Sequence, residues 1–546
     1  MREPGLSRRR WLAMSGGVAA SLVAARVSRS GAAADSPRRG GVLTLRAWDP
    51  PNFDLQRLDS FKTHILYSFT HSRLLRHRAE AGLPPGTFSI EGDLAESWSK
   101  LSETAYRFRL RRGVRWHNRP PVHGRELTAE DVAFSVRRAL DAAGRPVHPL
   151  WASLDRAEVV DRYTVTLILK TPLSWLPEMV AAPMVLPIVA RECVETFGDL
   201  QKAEALVGTG PWQFDGHRRG VGITLTRNPD YFRPGLPYID RIELTLNDDS
   251  ARAAAGFLTG KYDLGWESPG VIPRSEWVQL RDRLQAQRPG LRSAEILENS
   301  LYAIFMRTDR PPFNDLRVRQ AISMSINRQE IIESVLEGAG MVNPPIPAAL
   351  KEWALTVNEL GPGASCYRFD PREARRLLTQ AGHGGGMETT LTFTSYGRIY
   401  TDMLQLILHD LKAIGINAKP VLKEYGAFVS SVPYGNFEGL ALAGLPPAIQ
   451  PYAPLFARYY PGQLPNAARV DDPVLTALLD QLAGAQDLSR RREIVHTIQR
   501  HAAVQQYYVH LPSGINVAAW DGALKNYAPN ISYDYGGRLV AAWLDR

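Results

Sequence analysis

The stretch that most constrains the fold is residues 208–266, where glycine, proline and aromatic residues follow one another in a fixed order. Gly208 and Gly210 permit a backbone with positive φ, and Pro211 fixes the turn that follows. Trp212 then begins a run in which apolar and polar residues alternate, as in a half-buried strand. The segment therefore predicts a tight turn that leads directly into a strand.

The same stretch continues with elements of both kinds of secondary structure. Apolar residues alternate through 239–246, which predicts a second strand. Asp249 or Ser250 can cap a short alanine-rich helix that stops at Gly260, and residues 262–264 enter another strand. Strands and a helix this close together indicate a mixed α/β protein.

This region resembles the signature region of the extracellular solute-binding proteins of ABC importers. The resemblance is to the large family that carries peptides, nickel chelates, opines and some oligosaccharides. Further passages resemble that family in the same order: LAESW at 94–98, AYRFRLRRGVRWHN at 105–118, LTAEDVAFSVRRAL at 127–140, PPFNDLRVRQAISMSINRQEIIESVLEGAG at 311–340 and, less closely, YYVHLP at 507–512. The whole mature chain is therefore identified as a member of this family.

The resemblance implies an α/β fold of the type II periplasmic-binding-protein kind, with two lobes around a ligand cleft, an extra subdomain and a two-strand hinge. It assigns the chain as follows: lobe I is 35–75, 208–297 and 506–546, subdomain II is 76–207, and lobe III is 298–505. Two crossings between lobes I and III form the hinge, so we expect the ligand between lobes that close over it.

Local signals independently predict α/β structure downstream of residue 300. Asp370 caps a helix that has Pro371 at its first position and Gly382 just past its end. A strand, a helix and a second strand are predicted at 389–395, 401–415 and 416–422, which implies a right-handed parallel crossover. Nearer the N-terminus, strands are predicted at 42–48 and 163–169, and Thr128 with Asp131 forms a capping box for a helix through Leu140.

Residues 1–34 have the layout of a removable export signal. Arg8, Arg9 and Arg10 precede a weakly apolar run that ends in small residues at 32–34, and the arginines resemble a twin-arginine signal. The alternative is a disordered basic tail on a cytosolic protein. These residues hold six arginines and one glutamate of a chain with formal charge +9, so cleavage leaves +4. So small a charge does not indicate a nucleic-acid partner.

The two cysteines, Cys193 and Cys366, lie far from the export segment. No cysteine lies directly after that segment, so the usual lipid attachment point is missing. We therefore expect a soluble periplasmic protein without a lipid anchor. The resemblance maps the cysteines to subdomain II and lobe III, where a disulfide would lock the hinge, and we expect both to stay unpaired.

The sequence offers few signs of an enzyme. The run His383–Gly386 is similar to an esterase oxyanion loop, but no G-x-S-x-G occurs and the run follows a helix end. His117 and His123 flank a proline pair, and we expect them on the surface rather than on a metal. No catalytic residue, metal or cofactor is predicted.

The candidate ligand-binding residues are polar-tipped aromatic and charged side chains near predicted strand ends, where open α/β sheets bind ligands. Glu424–Tyr425 also matches an "EW/EY" position at which members of the family line the cavity. The candidates are Trp48, Trp266, Tyr302, Tyr396, Arg398, Glu424 and Tyr425. For each of them, packing in the core is the alternative role.

One departure from the family bears on the ligand. In peptide-binding members a tryptophan and an aspartate occur in a passage similar to "FDVxxxGWxxDYxxP", and the aspartate pairs with the peptide ammonium group. Aligned from Phe437 to Pro451, these positions fall on Gly444 and Pro447. Proline cannot accept that charge, which predicts weak binding of free peptides, and Gly444 leaves room for a larger solute.

The function implied is the periplasmic substrate-binding subunit of an ABC importer. We expect a monomer that captures a small organic solute (peptide-like, opine, oligosaccharide or chelate) and delivers it to an inner-membrane permease and its ATPase. The alternatives are a ligand-binding subunit for chemotaxis or sensing, and a secreted hydrolase.

Overall fold

The computed structural model describes residues 36–546 except 58–59, 80–82, 84–87, 142–148, 248, 266–270, 343–344, 396, 464, 528 and 530–533. The predicted export signal lies outside the described residues, and so do two of the candidate binding residues, Trp266 and Tyr396. No helix in the described ranges is long and apolar enough to cross a membrane.

Strands and helices are mixed along the described chain. The strands are β1 (Val42–Ala47), β2 (Leu75–His77), β3 (Ile90–Gly92), β4 (Ala95–Ser102), β5 (Ala105–Leu110), β6 (Leu154–Asp161), β7 (Thr164–Leu169), β8 (Trp212–Arg218), β9 (Gly222–Arg227), β10 (Arg241–Leu246), β11 (Val271–Ile272), β12 (Arg292–Leu297), β13 (Leu301–Met306), β14 (Gly340–Met341), β15 (Met387–Phe393), β16 (Ile416–Leu422), β17 (Leu440–Leu445), β18 (Tyr508–His510), β19 (Ser513–Trp520), β20 (Leu524–Lys525) and β21 (Trp543–Leu544). The helices are α1 (Phe61–Thr70), α2 (Ala129–Asp141), α3 (Pro149–Ser153), α4 (Leu176–Ala181), α5 (Arg191–Phe197), α6 (Ser250–Leu258), α7 (Arg274–Gln287), α8 (Leu316–Ser325), α9 (Arg328–Glu330), α10 (Pro371–Gln380), α11 (Arg398–Ala413), α12 (Tyr425–Val429), α13 (Tyr452–Tyr459), α14 (Pro473–Gly484), α15 (Leu488–Gln505) and α16 (Tyr535–Leu539). A π-helical turn, Ile331–Val335, follows α9, and 3-10 segments lie at Ala203–Ala205, Val357–Tyr367 and Val432–Tyr434.

The first sheet has the order β1-β10-β9-β8, with β1 parallel to β10 and the other pairs antiparallel. Leu43 and Leu45 of β1 are fully buried, as the alternating sequence predicts. The N–H of Asn247 donates to the carbonyl of Ala47 at 3.0 Å, so the carboxyl ends of β1 and β10 lie side by side. Trp48 follows β1 at this edge.

Gly208 and Gly210 have a structural role other than the predicted one. The expectation of positive φ is wrong, because neither Gly208 nor Gly210 has it. Both instead lie against the end of α1: a β-carbon on Gly210 would meet the carbonyl oxygen of Phe69 at 2.6 Å, and one on Gly208 would collide with that of Thr70. Glycine is required here because two backbones approach closely.

The region 76–207 contains an antiparallel sheet of order β4-β5-β7-β6, with α2 packed beside it. The N–H of Thr128 donates to the Asp131 carboxylate at 2.9 Å, and α2 begins at the next residue and extends one residue beyond the predicted end at Leu140. His117 lies within this region and is completely buried, so its predicted surface position is wrong, whereas His123 is exposed. The N–H of Gly208 donates to Nδ1 of His117 at 3.2 Å, which explains its burial.

The third large sheet has the order β16-β15-β17-β13-β18. β15 is parallel to both β16 and β17, and α11 connects β15 to β16, which confirms the predicted parallel crossover. Before it, the Asp370 carboxylate accepts from the N–H of Glu373 at 3.0 Å, Pro371 begins α10, and Gly382 has φ of 91°. The predicted start and stop signals of α10 are therefore confirmed.

Two chain segments run side by side between the sheet containing β12 and β19 and the sheet containing β13 and β18. The first is 298–300 and the second is 511–512. The N–H of Glu298 donates to the carbonyl of Gly514 at 3.1 Å, and the N–H of Leu511 donates to that of Tyr302 at 2.8 Å. These segments form the two-strand hinge that the resemblance predicts.

Cys193 and Cys366 are both buried and unpaired, as expected. Burial raises the pKa of Cys193 to about 12, so its thiol stays protonated at neutral pH. Residues Arg38–Arg546 form one compact unit, and the predicted boundaries between lobe I, subdomain II and lobe III stay a prediction.

Candidate functional site

The candidate site lies where several strand ends of the third sheet meet. The strands β15, β16 and β17 are parallel, so their carboxyl ends share one edge. Because β13 is antiparallel to β17, its amino end reaches the same edge, directly after the hinge. The segments that follow β15, β16 and β17, together with Tyr302 at the start of β13, therefore surround one location.

Tyr302 is the candidate residue most firmly held at this edge. Its side chain is half-buried, and its hydroxyl donates to Oε1 of Glu298 at 3.2 Å. Its ring lies beside Gly444 on β17, since a β-carbon on that glycine would be 3.6 Å from a ring carbon. The space expected at Gly444 is therefore limited by the Tyr302 ring, because a side chain at position 444 would contact that ring.

Glu424 and Tyr425 follow β16, and the structure gives them different environments. The Glu424 carboxylate caps α12 by accepting from the N–H of Ala427 at 2.9 Å, and the N–H groups of Gly426 and Ala427 lower its pKa. Its charge therefore already stabilises a helix N-terminus. Tyr425 is the first residue of α12 and is half-buried, so part of its ring remains available for contact.

Arg398 and Trp48 follow strands of two different sheets. Arg398 begins α11, is exposed and forms a long ion pair with Asp402 at 3.8 Å. Trp48 follows β1 in the first sheet and is half-buried, with the Arg46 guanidinium 3.9 Å from its ring centre. Nε of Arg46 also donates to the carbonyl of Asn247 at 2.7 Å, so this cation is fixed at the edge of the first sheet.

Two hinge residues at the site are absent from the sequence-based candidates. Nδ2 of Asn299 donates to the carbonyl of Ala448, and the N–H of Ala448 donates to the carbonyl of Asn299, both at 2.9 Å. This pair fastens the segment after β17 to the hinge. Glu298, the preceding residue, is half-buried, and burial raises the pKa of its carboxyl to about 7. The polar pair Glu298–Asn299 directly before the apolar strand β13 is a signal that the sequence does contain.

A contact between predicted subdomain II and predicted lobe III lies elsewhere, at Trp175. Its indole N–H donates to the carbonyl of Leu482 at 3.3 Å, and the Arg491 guanidinium lies 4.4 Å from its ring centre. Trp353 and Tyr452 contact the same ring, with ring centres 5.3 and 6.3 Å away. Only 2 % of Trp175 is exposed, and these four contacting residues all follow position 298.

Comparison with known proteins agrees with this architecture. The family model for bacterial extracellular solute-binding proteins, family 5, matches residues 89–465. Heme-binding protein A of Haemophilus influenzae is 25% identical over 478 residues, which is 82% of this chain and 84% of that protein. Di/tripeptide-binding protein 2 of Pseudomonas aeruginosa is 28% identical over 77% of this chain and 78% of its own length.

Solved structures show the same fold at low sequence identity. The periplasmic binding protein DppA of Helicobacter pylori, in complex with the peptide STSA, superposes with a TM-score of 0.78 at 23% identity, over 93% of this chain and 99% of its own. AgaA of A. tumefaciens R10, in complex with agropinic acid, gives a TM-score of 0.78 at 21% identity over 93% and 99%. The family match, covering more than half of the chain, and the shared two-lobed α/β fold lead to one conclusion: this chain belongs to family 5 of the bacterial extracellular solute-binding proteins, the substrate-binding subunits of ABC importers.

Proposed function

We propose that the chain binds a small organic solute between its two lobes and delivers it to an inner-membrane ABC permease. The observation that carries the proposal is that Tyr302, with its bond to Glu298, and Tyr425 lie along the same edge of the third sheet, beside the hinge. Aromatic rings with polar tips bind peptide-like solutes, opines, oligosaccharides and chelates alike. Relatives named for peptides, heme and glutathione support this breadth of candidate solutes.

The hinge explains how binding would be reported to the permease. Two short segments join the lobes, and each bonds to the strand that continues the other, so a change of a few backbone angles there rotates one lobe against the other. A solute that contacts both lobes stabilises the closed form, because only that form makes all of its contacts. The permease and its ATPase then act on the closed monomer.

We assign no chemical reaction to the protein. A His501–Asp472 pair exists, with Nε2 of the histidine 2.6 Å from the carboxylate. The same carboxylate caps α14 by accepting from the N–H of Val474 and also accepts from the Tyr507 hydroxyl. A carboxylate used in this way stabilises a helix and orients two neighbours, which favours a structural role over a hydrolytic one.

Export to the periplasm is part of the proposal and rests on residues 1–34. Mass spectrometry of periplasmic protein is expected to find a mature N-terminus near Asp35. Replacing Arg8, Arg9 and Arg10 together by lysine tests the twin-arginine route, since undiminished export of that variant contradicts it.

The binding proposal is tested with the mature chain and a solute panel. Tryptophan fluorescence and thermal shift would be measured with matched peptides, opines, oligosaccharides and heme. A binder returns its solute unchanged after incubation, as judged by mass spectrometry, whereas a hydrolase returns fragments. Light scattering on the same samples tests whether the protein is a monomer. Turnover of any solute, or no binding across all four classes, contradicts the proposal.

A further inference from the structure

Glu298 is a carboxyl group placed in the hinge itself. It follows β12 directly, and its backbone N–H donates to the carbonyl of Gly514, on the strand β19 that follows the second hinge segment, at 3.1 Å. Its side chain accepts from the Tyr302 hydroxyl at 3.2 Å, on the edge of the third sheet where the candidate site lies. The carboxyl is thus held at the hinge by an aromatic residue of the candidate site.

The residue after Glu298 connects the hinge to the segment that carries Pro447. Asn299 and Ala448 are joined by two hydrogen bonds of 2.9 Å. Because the strands next to this pair, β13 and β17, are antiparallel, Pro447 lies on the Ser300 side of the pair and Glu298 on the Ile449 side. The resemblance to peptide-binding members expects an acidic side chain at position 447, where this chain has proline. The hinge segment that is bonded to the next residue, Ala448, carries a carboxyl instead.

Among the described residues, no positively charged side chain acts on the Glu298 carboxyl. Within the part of the chain that the structure describes, the groups acting on its carboxyl are the Tyr302 and Ser300 side chains and the backbone of Gly514. No cationic side chain is among them. His510 lies opposite Ala303 on β18, and burial lowers its pKa to about 3, so it remains neutral. Arg328 and Arg458 act on His510 from its other surroundings.

A carboxyl in this environment gains most from a cation supplied by the solute. Burial disfavours the charged form and outweighs the hydrogen bonds that Glu298 accepts, which is why its pKa is raised to about 7. A bound ammonium or guanidinium group would reverse that effect, because opposite charges within a few ångströms favour ionisation of the acid.

We infer that Glu298 is the specificity-determining residue for a positively charged group on the solute, an ammonium or a guanidinium. This inference deepens the proposed function and rests on it. It also revises the expectation from Pro447, because a solute with a free amine then has an anionic partner at the hinge.

The test compares matched probes and matched variants of the mature protein. The probes are trialanine, glutathione, arginine and putrescine, set against N-acetylated trialanine, N-acetylated glutathione, maltotriose and heme. The variants are Glu298→Gln, which removes the charge and keeps the shape, and Glu298→Asp, which keeps the charge. Glu295→Gln is the control, since Glu295 lies on β12 shortly before the hinge but is exposed and pairs with Arg274 at 3.5 Å.

Isothermal titration gives affinity and proton release in the same experiment. We expect at least one amine-bearing probe to bind wild type and the Glu295→Gln variant, and to bind Glu298→Gln about a hundredfold more weakly or worse. Glu298→Asp should recover part of that loss. At pH 7, titrations in phosphate and Tris buffers should show release of about half a proton per bound cation in wild type and none in Glu298→Gln.

The failure of this inference is distinguishable from failure of the proposed function. Binding of any probe with equal affinity to wild type and Glu298→Gln, without proton release, overturns the role of Glu298 and leaves solute binding intact. Equal affinity for an amine and its acetylated counterpart overturns it as well. Absence of binding by every probe contradicts the proposed function and this inference together.

Discussion

The guanidinium of Arg546 holds the carboxylate of Asp263 through two hydrogen bonds, at 2.7 and 3.0 Å. Asp263 is buried, and its Oδ2 also accepts from the N–H of Thr44 on β1 at 2.8 Å. Arg546 donates in addition to the carbonyl of Val42 at 3.1 Å. One buried carboxylate therefore connects the first strand of the fold with residues more than two hundred positions away.

We expect Arg546→Ala to lower the free energy of unfolding by about 1–2 kcal/mol, because it leaves a buried carboxylate without its cation while the arginine itself is partly solvated. Urea denaturation followed by far-UV circular dichroism measures this change. Arg38→Ala is the matched control: Arg38 pairs with Asp545 at 2.7 Å but is mostly exposed, so its loss should cost about 0.5 kcal/mol or less. Equal effects of the two substitutions would show that burial of Asp263 is unimportant.

Buried histidines make the stability of the protein sensitive to mild acid. Burial lowers the pKa of His64, His71 and His510 to about 3, and of His77 and His117 to about 4. In the unfolded chain these groups titrate near 6.5, so below that pH the unfolded state binds more protons. Stability is therefore complete above about pH 6.5 and falls as the pH decreases toward 4.

Urea denaturation at several pH values between 7.5 and 4.5 tests this prediction. Each histidine that stays neutral in the fold adds up to about 1.4 kcal/mol of destabilisation per pH unit below 6.5. In the His510→Gln variant, the free energy of unfolding should fall less steeply with decreasing pH than in wild type. The difference in slope should equal the contribution of about one histidine. A wild-type stability that is constant from pH 6.5 to 5 would contradict the burial of neutral histidines.

The parts of the fold that follow from sequence are those set by local chemistry. Asp370, Pro371 and Gly382 define α10, and the alternating runs around α11 define a parallel crossover, because caps and periodicity act within a few residues. The role of Gly208 was not predictable, since it depends on the position of Thr70 in a distant segment. His117 was misplaced for the same reason, as its partner is Gly208.

The candidate site could be predicted only in part. The strand ends that carry Tyr302 and Tyr425 were recognisable, because open sheets bind ligands at their carboxyl edges. The ligand contact of Glu424 stays a prediction, whereas its role as the cap of α12 was not apparent from the sequence. Glu298 was not recognised as a site residue, because its burial depends on contacts with Gly514 and Tyr302. These contacts form only when the two hinge segments lie side by side in the folded protein.

Trp175 is expected to hold predicted subdomain II against predicted lobe III. Trp175→Ala removes an enclosed indole, its hydrogen bond to Leu482 and its contact with Arg491, so we expect a loss of about 3 kcal/mol or more. Small-angle scattering of the variant should also show a larger radius of gyration. Trp116→Phe is the control, because Trp116 is equally buried but belongs to the region 76–207 with its neighbour Arg125. An unchanged radius for Trp175→Ala would assign this residue to packing within one unit.

The last prediction separates the two residues that follow β16. Tyr425 is half-buried at the edge of the candidate site, so Tyr425→Ala should weaken binding of an identified solute by about 2 kcal/mol or more with little change in melting temperature. Glu424→Gln should do the opposite, lowering the melting temperature through the weakened cap of α12 while affinity is kept. Tyr396→Ala is expected to behave like Tyr425→Ala. Affinity and melting temperature are to be measured on the same three variants. A large drop in the melting temperature of Tyr425→Ala with unchanged affinity would assign this tyrosine to the core and direct the search to Trp48, Trp266 and Tyr302.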